Sequence, residues 1–333
     1  KECNVILKAI CLFSGGLDSQ LAACLIKQQG IEVIAVNFTT PFFGSDDRTV
    51  EAADKLGIKF MRQNLGQEYK EILEHPVYGY GKNFNPCIDC HAFMLKKAGE
   101  LMENLGASFL VTGEVVGQRP MSQNKSAMNA VDKLSGYKGL IVRPLSARLL
   151  TISIPEQQKW IDREQLLDIS GRSRTRQMEL AQQLGLEDYP TPAGGCLLTE
   201  QNFANRLKLY LQKNPQAMLD SLRVLKYGRH FYLDDSTLLI VGRNNADNLQ
   251  LLQLAGKENY ILKVSTHPGP VGLIPGREKV DNDLLGYAGA IVARYSDAHD
   301  NTSARIKITR PGDTAEEFIE VVPLSPDEVT PTI

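Results

Sequence analysis

The chain lacks an excess of either charge: 37 Lys and Arg stand against 39 Asp and Glu, a formal net charge of −2. Without a polybasic signature, any nucleic-acid role must rest on local patches. No apolar run approaches the about 18–20 residues of a membrane span. Residues 5–13 are apolar but carry Lys8 and run into a glycine turn, not a cleavage site. These absences lead to the expectation of a cytoplasmic protein without a membrane segment. Cysteine is scarce, with six in 333 residues, too few for a disulfide scaffold. There is no internal repeat and no low-complexity stretch. The remaining composition, 43% hydrophobic and 23% charged, is that of an ordinary globular chain long enough for two or three domains.

What is present begins with Ser14-Gly15-Gly16-Leu17-Asp18-Ser19, between an apolar run and an amphipathic stretch. Strand, glycine turn and helix together build an anion cradle. Glycines allow a tight turn and close approach, while the helix start offers free N–H groups and a partial positive charge. Ser14 and Ser19 add hydroxyls. The Gly-Lys-Ser/Thr ending of a Walker loop is missing.

Apolar runs predict strands at residues 5–13, 31–38, 58–63, 108–112 and 140–142. Helical periodicity covers 21–29, 48–56, 67–74 and 91–105. This alternation predicts an α/β domain over residues 1–150, a parallel sheet with helices on both faces. Ligands of such sheets bind beyond the carboxyl ends of the strands, where the glycine loop, the 38–44 loop, the cysteine loop and Thr112-Gly113-Glu114 would gather. Residues 151–230 form a mostly helical segment, with a helical pattern over 154–186 carrying Arg163, Arg172, Arg174 and Arg176. Pro190, Pro192, Gly194 and Gly195 break it before Cys196, and a helix resumes at 202–211. Between Glu200 and His230 six basic residues, among them Arg206 and Lys208, face two carboxylates. This is the best basic patch, although solvated helix faces also collect such charges. Residues 231–333 form a smaller α+β domain, with strands at 231–233, 237–241, 260–264 and 305–309, a helix at 280–296 and a loose tail.

Cys3, Cys11 and Cys24 lie in or beside core elements and read as packing residues. Cys87 and Cys90 differ, sitting at the mouth of a helix whose dipole favours thiolate. A lone Cys-x-x-Cys is open to redox, zinc and iron–sulfur readings. Cys196 is the other cysteine in a glycine-rich loop. Three thiolates on a [4Fe–4S] cluster would leave one iron open to an exogenous ligand. Alternatively, one cysteine carries a persulfide that another resolves as a disulfide.

The 14–19 string resembles the PP-loop of the ATP-pyrophosphatase superfamily, which splits ATP between its α and β phosphates. With Asn85-Pro86-Cys87, Cys90, the late Cys196, Thr112-Gly113-Glu114, Gly117-Gln118 and Ser122-Gln123, residues 1–210 are similar to tRNA thiolation enzymes. These are the 2-thiouridylases and 4-thiouridine synthetases. The THUMP-type domain and terminal zinc fingers of such enzymes are not expected within these 333 residues. Val241-Gly242-Arg243-Asn244-Asn245, the 263–269 segment and the 280–295 helix resemble the NFACT-type RNA-binding domain.

The resemblance implies an adenine nucleotide α-hydrolase-like fold and an ATP-dependent tRNA sulfurtransferase. Ser14, Gly15, Gly16, Asp18 and Ser19 would bind ATP, with Phe38, Thr40 and Gly113 beside it. Asp18 would hold Mg²⁺. A uracil carbonyl oxygen attacks the α phosphate; sulfur from Cys87, Cys90 and Cys196, as a persulfide or on a [4Fe–4S] cluster, then displaces AMP. Arg143 and Arg119 are further candidates for phosphate, or else for surface ion pairs, and Arg172, Arg174, Arg176, Arg206 and Lys208 for the RNA backbone. The sulfur donor would be a cysteine desulfurase, a sulfur carrier or free sulfide. A PP-loop ligase or amidotransferase adenylating a small carboxylate is the rival enzyme, and an RNA-binding or sulfur-carrier protein with a vestigial loop the rival binder.

Overall fold

A computed structural model describes residues 7–44, 46–190, 195–277, 279–299, 303–314 and 316–329. The chain divides into two units, Lys1–Thr199 and Glu200–Ile333. Cys3 and the break residues Pro192 and Gly194 lie outside the described residues.

In the first unit, strands alternate with helices as the apolar runs predict. They are β1 (Lys8–Leu12), α1 (Leu17–Gln28), β2 (Glu32–Thr39), α2 (Asp47–Lys55), β3 (Lys59–Asn64), α3 (Tyr69–Glu74), α4 (Cys87–Glu100), α5 (Met102–Leu105), β4 (Phe109–Thr112), α6 (Lys125–Ser135) and β5 (Ile141–Val142). The sheet order is β3-β2-β1-β4-β5, and every pairing is parallel. Central β1 is apolar on both faces because both are covered. Ala9, Cys11 and Phe13 share one core with Ala22, Ala23 and Ile26 of α1 and Ala52 and Ala53 of α2. The α4 helix packs on β1 and β4, with α6 against it. Cys11 is a packing thiol as expected: it is buried, and burial pushes its pKa up to about 12. Cys24 is half-buried in α1.

The helical pattern over 154–186 does not form one helix. It gives α7 (Ile154–Gln157), a 3-10 turn at Arg163–Gln165, and α8 (Thr175–Gln183). Between them Leu167 N–H donates to the Pro144 carbonyl (2.9 Å) and Ile169 N–H to that of Leu145 (2.8 Å). Those apolar residues are spent on the 144–145 segment in extended form, and Gly171, at φ 88°, turns the chain into α8.

The second unit opens with α9 (Gln201–Lys213) and holds an antiparallel sheet ordered β11-β10-β8-β9-β7-β6. Its strands are β6 (Arg229–Tyr232), β7 (Leu238–Val241), β8 (Tyr260–Val264), β9 (Gly272–Ile274), β10 (Ala304–Thr309) and β11 (Glu317–Val321). Two helices accompany them, α10 (Asn245–Leu254) and α11 (Asn282–Arg294), and α11 packs on the sheet through Ala288, Ile291 and Val292. Of the expected loose tail, Ser325 caps a 3-10 turn at Pro326–Glu328 and Val329 enters the core; residues 330–333 lie outside the described residues.

His230, on β6, is 3% exposed, and its Nε2 donates to the Tyr227 carbonyl at 3.0 Å. Burial first, then the Arg206 charge, push its pKa down to about 3, against that hydrogen bond. The unfolded chain therefore takes up this proton first, from its ordinary value of about 6.5. The urea midpoint of this unit should fall as pH drops from about 6.5 towards 4, and His230→Gln should flatten that dependence. An unchanged slope in the variant would remove His230 as its source.

Candidate functional site

The β1–α1 turn is shaped by two close approaches. Gly15 lies at φ 73°, and a Cβ there would meet Thr49 Oγ1 at 3.0 Å and its Cα at 3.1 Å. At the end of β4, a Cβ on Gly113 would stand 2.6 Å from the Asp18 carbonyl and the Ser19 nitrogen. Gly113 is thus a contact surface that lets β4 lie against the first turn of α1. Gly16 caps α1 without a side-chain hydrogen bond, so the helix start is open. Ser19 Oγ donates to the Gly16 carbonyl (2.8 Å) and lies 3.3 Å from Ser14 Oγ, which accepts from Gly16 N–H. Asp18 Oδ2 accepts from Gln118 Nε2 at 3.0 Å, while buried Oδ1 has no partner among the described residues. A lone hard oxygen beside an open helix start and a glycine turn is a donor set that fits a phosphate-bound Mg²⁺. Phe38, buried, and Thr40, whose Oγ1 accepts from Phe42 and Phe43 N–H, end β2 on this edge.

The cysteines gather around Tyr69, a fully buried ring at the start of α3 packed against Phe42, Phe43 and Phe93. Its hydroxyl donates to Cys90 Sγ at 3.3 Å. Burial, then the charges of Cys90, Cys196 and Cys87, all raise the Tyr69 pKa, so it stays a neutral donor. Cys90 is buried, which drives its thiol well above its ordinary value despite the Tyr69 bond; Cys196 and Cys87 add to the rise. Cys87 is half-buried at the open start of α4, where Asn85 Nδ2 donates to its sulfur at 3.1 Å. Cys196 arrives from over a hundred residues away because Leu197 N–H donates to the Phe42 carbonyl (3.2 Å). Among the described residues no three His, Cys, Asp or Glu side chains form a group able to hold a metal ion.

Under the site runs a buried ionic chain. Glu114 accepts from Arg143 Nε (2.8 Å) and Thr112 Oγ1 (3.1 Å), and pairs with His91 Nδ1 (2.8 Å); Arg143 reaches Asp132 with its other arm (2.8 Å). Burial opposes ionisation of Glu114, but Arg143 and then His91 outweigh it and hold the carboxyl well below the usual range. Arg143, a candidate for phosphate or for a surface ion pair, is consumed by ion pairs that are buried, in a network that anchors α6 and the end of β4. Arg119 is exposed. Tyr69 and His91 carry no motif that would single them out in sequence; Asn85 and Glu114 stood only inside the Asn-Pro-Cys and Thr-Gly-Glu strings.

Of the basic candidates in the first unit, Arg172 is exposed and Arg176 pairs with Asp168 at 2.7 Å. Arg174 is half-buried, with its Nε unpartnered among the described residues. Their segment borders the Asp18 region, since Gly171 N–H donates to the Val116 carbonyl (2.8 Å) two residues from Gln118. In the second unit Lys208 is exposed; Arg206 is half-buried, and burial followed by the Arg243 charge lowers its pKa.

Residues 5–148 match the family model "Thiamine biosynthesis protein (ThiI)", and residues 228–332 match "NFACT protein RNA binding domain". The chain is 28% identical over 296 residues to the tRNA-specific 2-thiouridylase MnmA of Chromobacterium violaceum, covering 80% of this chain and 72% of that protein. It is 28% identical to the Delftia acidovorans MnmA, covering 68% of this chain and 62% of the relative. For the Listeria welshimeri MnmA the figures are 25%, 65% and 59%. A solved 4-thiouridine synthetase–RNA complex with bound ATP overlaps 54% of this chain and 50% of its own, at 22% identity and a TM-score of 0.35. The chain thus joins a PP-loop domain like those of ThiI and MnmA to a C-terminal NFACT-type domain.

Arg143→Met strands the buried carboxylate of Glu114 and unpairs the half-buried Asp132, and should cost about 3–5 kcal/mol of stability at neutral pH. Because the Glu114 pKa is depressed on folding, its contribution is present above about pH 4.3 and lost on acidification. The deficit of the variant, read by calorimetry, should therefore shrink towards pH 3. A deficit independent of pH would assign the loss to packing alone.

Proposed function

We propose that this chain, with its PP-loop and NFACT-type domains, is an ATP-dependent sulfurtransferase that adenylates a tRNA uridine and replaces a carbonyl oxygen with sulfur. The observation that carries the reading is the gathering of Cys87, Cys90 and Cys196 around Tyr69, on the sheet edge that holds the PP-loop. An adenylating ligase would need the loop but not the thiols. The curated 2-thiouridylases it matches support the same chemistry, although the chain spans only about three-fifths of two of the three compared.

ATP is held by the open start of α1 with Gly15, Gly16, Ser14 and Ser19, and Phe38, Thr40 and Gly113 border the nucleotide. Asp18 would hold Mg²⁺ through its unpartnered Oδ1, and the ion would supply charge neutralisation for pyrophosphate. The uracil oxygen attacks the α phosphate; an O–P bond forms and pyrophosphate leaves. A persulfide donor, a cysteine desulfurase or a sulfur carrier, passes its outer sulfur to one thiol and leaves as its own thiol; the terminal sulfur of the new persulfide attacks the activated ring carbon and expels AMP. A second thiolate attacks the bridging sulfur bond, releasing thiouridine and leaving a disulfide that a donor dithiol must reduce. Cys196 is the proposed persulfide carrier, on a loop outside the regular elements. Cys87, with its sulfur hydrogen-bonded by Asn85 at a helix start, suits the thiolate that resolves it. Buried Cys90 is held by Tyr69 beside them. In a second reading a [4Fe–4S] cluster would take all three thiols as ligands and supply sulfide to the activated base, although among the described residues no three such side chains form a metal-holding group. The RNA would be gripped by Arg172, Arg174 and Arg176, and by Arg206 and Lys208 with the C-terminal domain, in the cytoplasm.

ATP–pyrophosphate exchange that requires tRNA, with thiouridine detected by nucleoside mass spectrometry, is the expected result. Exchange supported by a small carboxylate without tRNA would replace the reading by a ligase. Cys87→Ala should abolish thiolation and keep adenylation; unimpaired thiolation would remove Cys87 from the mechanism. Stoichiometric iron and sulfide in anaerobically purified protein would select the cluster, and iron-free active protein the persulfide.

A further inference from the structure

The loop between α3 and α4 is fastened from within yet turns its apolar side chains outward. Asp89, the third residue of the Cys87–Cys90 motif, is 1% exposed and spends its carboxylate on this loop. Oδ1 accepts from Val77 N–H (2.6 Å) and Oδ2 from Tyr78 N–H (3.1 Å). Tyr80 hydroxyl donates to the Leu73 carbonyl (2.8 Å), and its ring stacks on Phe84 at 4.7 Å. Asn83 Nδ2 donates to the Thr199 carbonyl (2.6 Å), joining the loop to the Cys196 segment, and Gly81 N–H donates to the Asn85 carbonyl (2.9 Å). Nevertheless Val77 is 74% and Tyr78 49% exposed, and Lys82 is exposed in the same loop.

A buried carboxylate spent on positioning two exposed apolar residues needs a reason. Folding alone gains nothing from an outward Val77 and Tyr78, whereas a ligand gains a surface already ordered. We propose that Tyr78, flanked by Val77, is a stacking platform for an unpaired nucleobase of the RNA substrate, with Lys82 beside its phosphate. This rests on the thiolation reading above and adds to it the residue that presents the target. A uridine must leave its stack to reach the thiols, and a fixed aromatic ring can hold the neighbouring base while it does so. The position fits: the backbone of Tyr78 is bonded to the residue between Cys87 and Cys90. So does the chemistry, since an aromatic face accepts any base and exposed Lys82, in the same loop, supplies a cation for the backbone charge. The exposed apolar side chains of the loop are three, Val77, Tyr78 and, at 37%, Tyr80, the scale of a base or two rather than of a protein interface.

The test uses the full chain and unfractionated tRNA, with affinity read by fluorescence anisotropy at fixed salt. Tyr78→Ala should weaken binding about 5- to 150-fold, the range of one lost base stack. Tyr78→Phe should bind within about twofold of wild type, because the platform needs the ring and not the hydroxyl. ATP affinity and the thermal midpoint should be unmoved in both. Wild-type affinity in Tyr78→Ala would overturn the proposal, as would equal losses in the two variants. A third overturning result is unchanged tRNA affinity with thiolation impaired only when a protein, and not sulfide, donates sulfur, which would make the loop a donor dock. If wild type binds tRNA but thiolates none, the thiolation reading falls while the Tyr78 comparison still reads base stacking.

Discussion

The missing Cβ of Gly113 is the constraint on which the site depends. Only a bare backbone lets the end of β4 lie 2.6 Å, measured from the Cβ it lacks, from the Asp18 carbonyl. This contact closes the switch point of the doubly wound sheet, where strands β1 and β4 run side by side and their helices depart to opposite faces. From it the neighbours of Gly113 diverge. Thr112 donates its hydroxyl to Glu114, Glu114 reaches down to Arg143 and His91, and Gln118 reaches across to Asp18. One short string therefore sets the phosphate turn, the cysteine helix and the buried charges together.

The two halves of the edge are built on different electrostatics. At α1 the backbone supplies partial positive charge and Asp18 keeps one oxygen unspent. At α4 the Cys90 thiol sits beside the aromatic cluster of Tyr69 and Phe93, where charge is expensive, as its upward shift records. Tyr69 donates a hydrogen bond there without adding charge. Such a division suits chemistry in which phosphate charge is handled in one place and sulfur kept from water in another.

The second unit follows another logic. Its antiparallel sheet is covered by α11, whose small residues let it sit close: a Cβ on Gly289 would lie 3.1 Å from Ile306. Buried, neutral His230 is the cost of placing a polar ring between that core and the cationic Arg206 and Arg243.

The parallel strands, the glycine turn and α1 are legible from the residues alone. Each depends on contacts within a few positions and on apolar periodicity, and the same holds for α11. Strands β9 and β11 are not legible. The first is three residues long, and the second is an edge strand whose outward positions are Glu and Phe. The stretch at 154–186 misleads because its leucines have helical spacing while their backbone is captured by residues 144–145. Sequence determined the local devices: where the chain turns on glycine, which runs are buried on both sides, and which cysteines stand at a helix start. Tertiary structure alone decided that the Cys196 segment is tied to Phe42, that Tyr69 packs on Phe42 and bonds Cys90, and that Arg143 serves Glu114. Those pairings join residues tens to over a hundred positions apart, and no local propensity encodes which of many distant partners the packed sheet brings together.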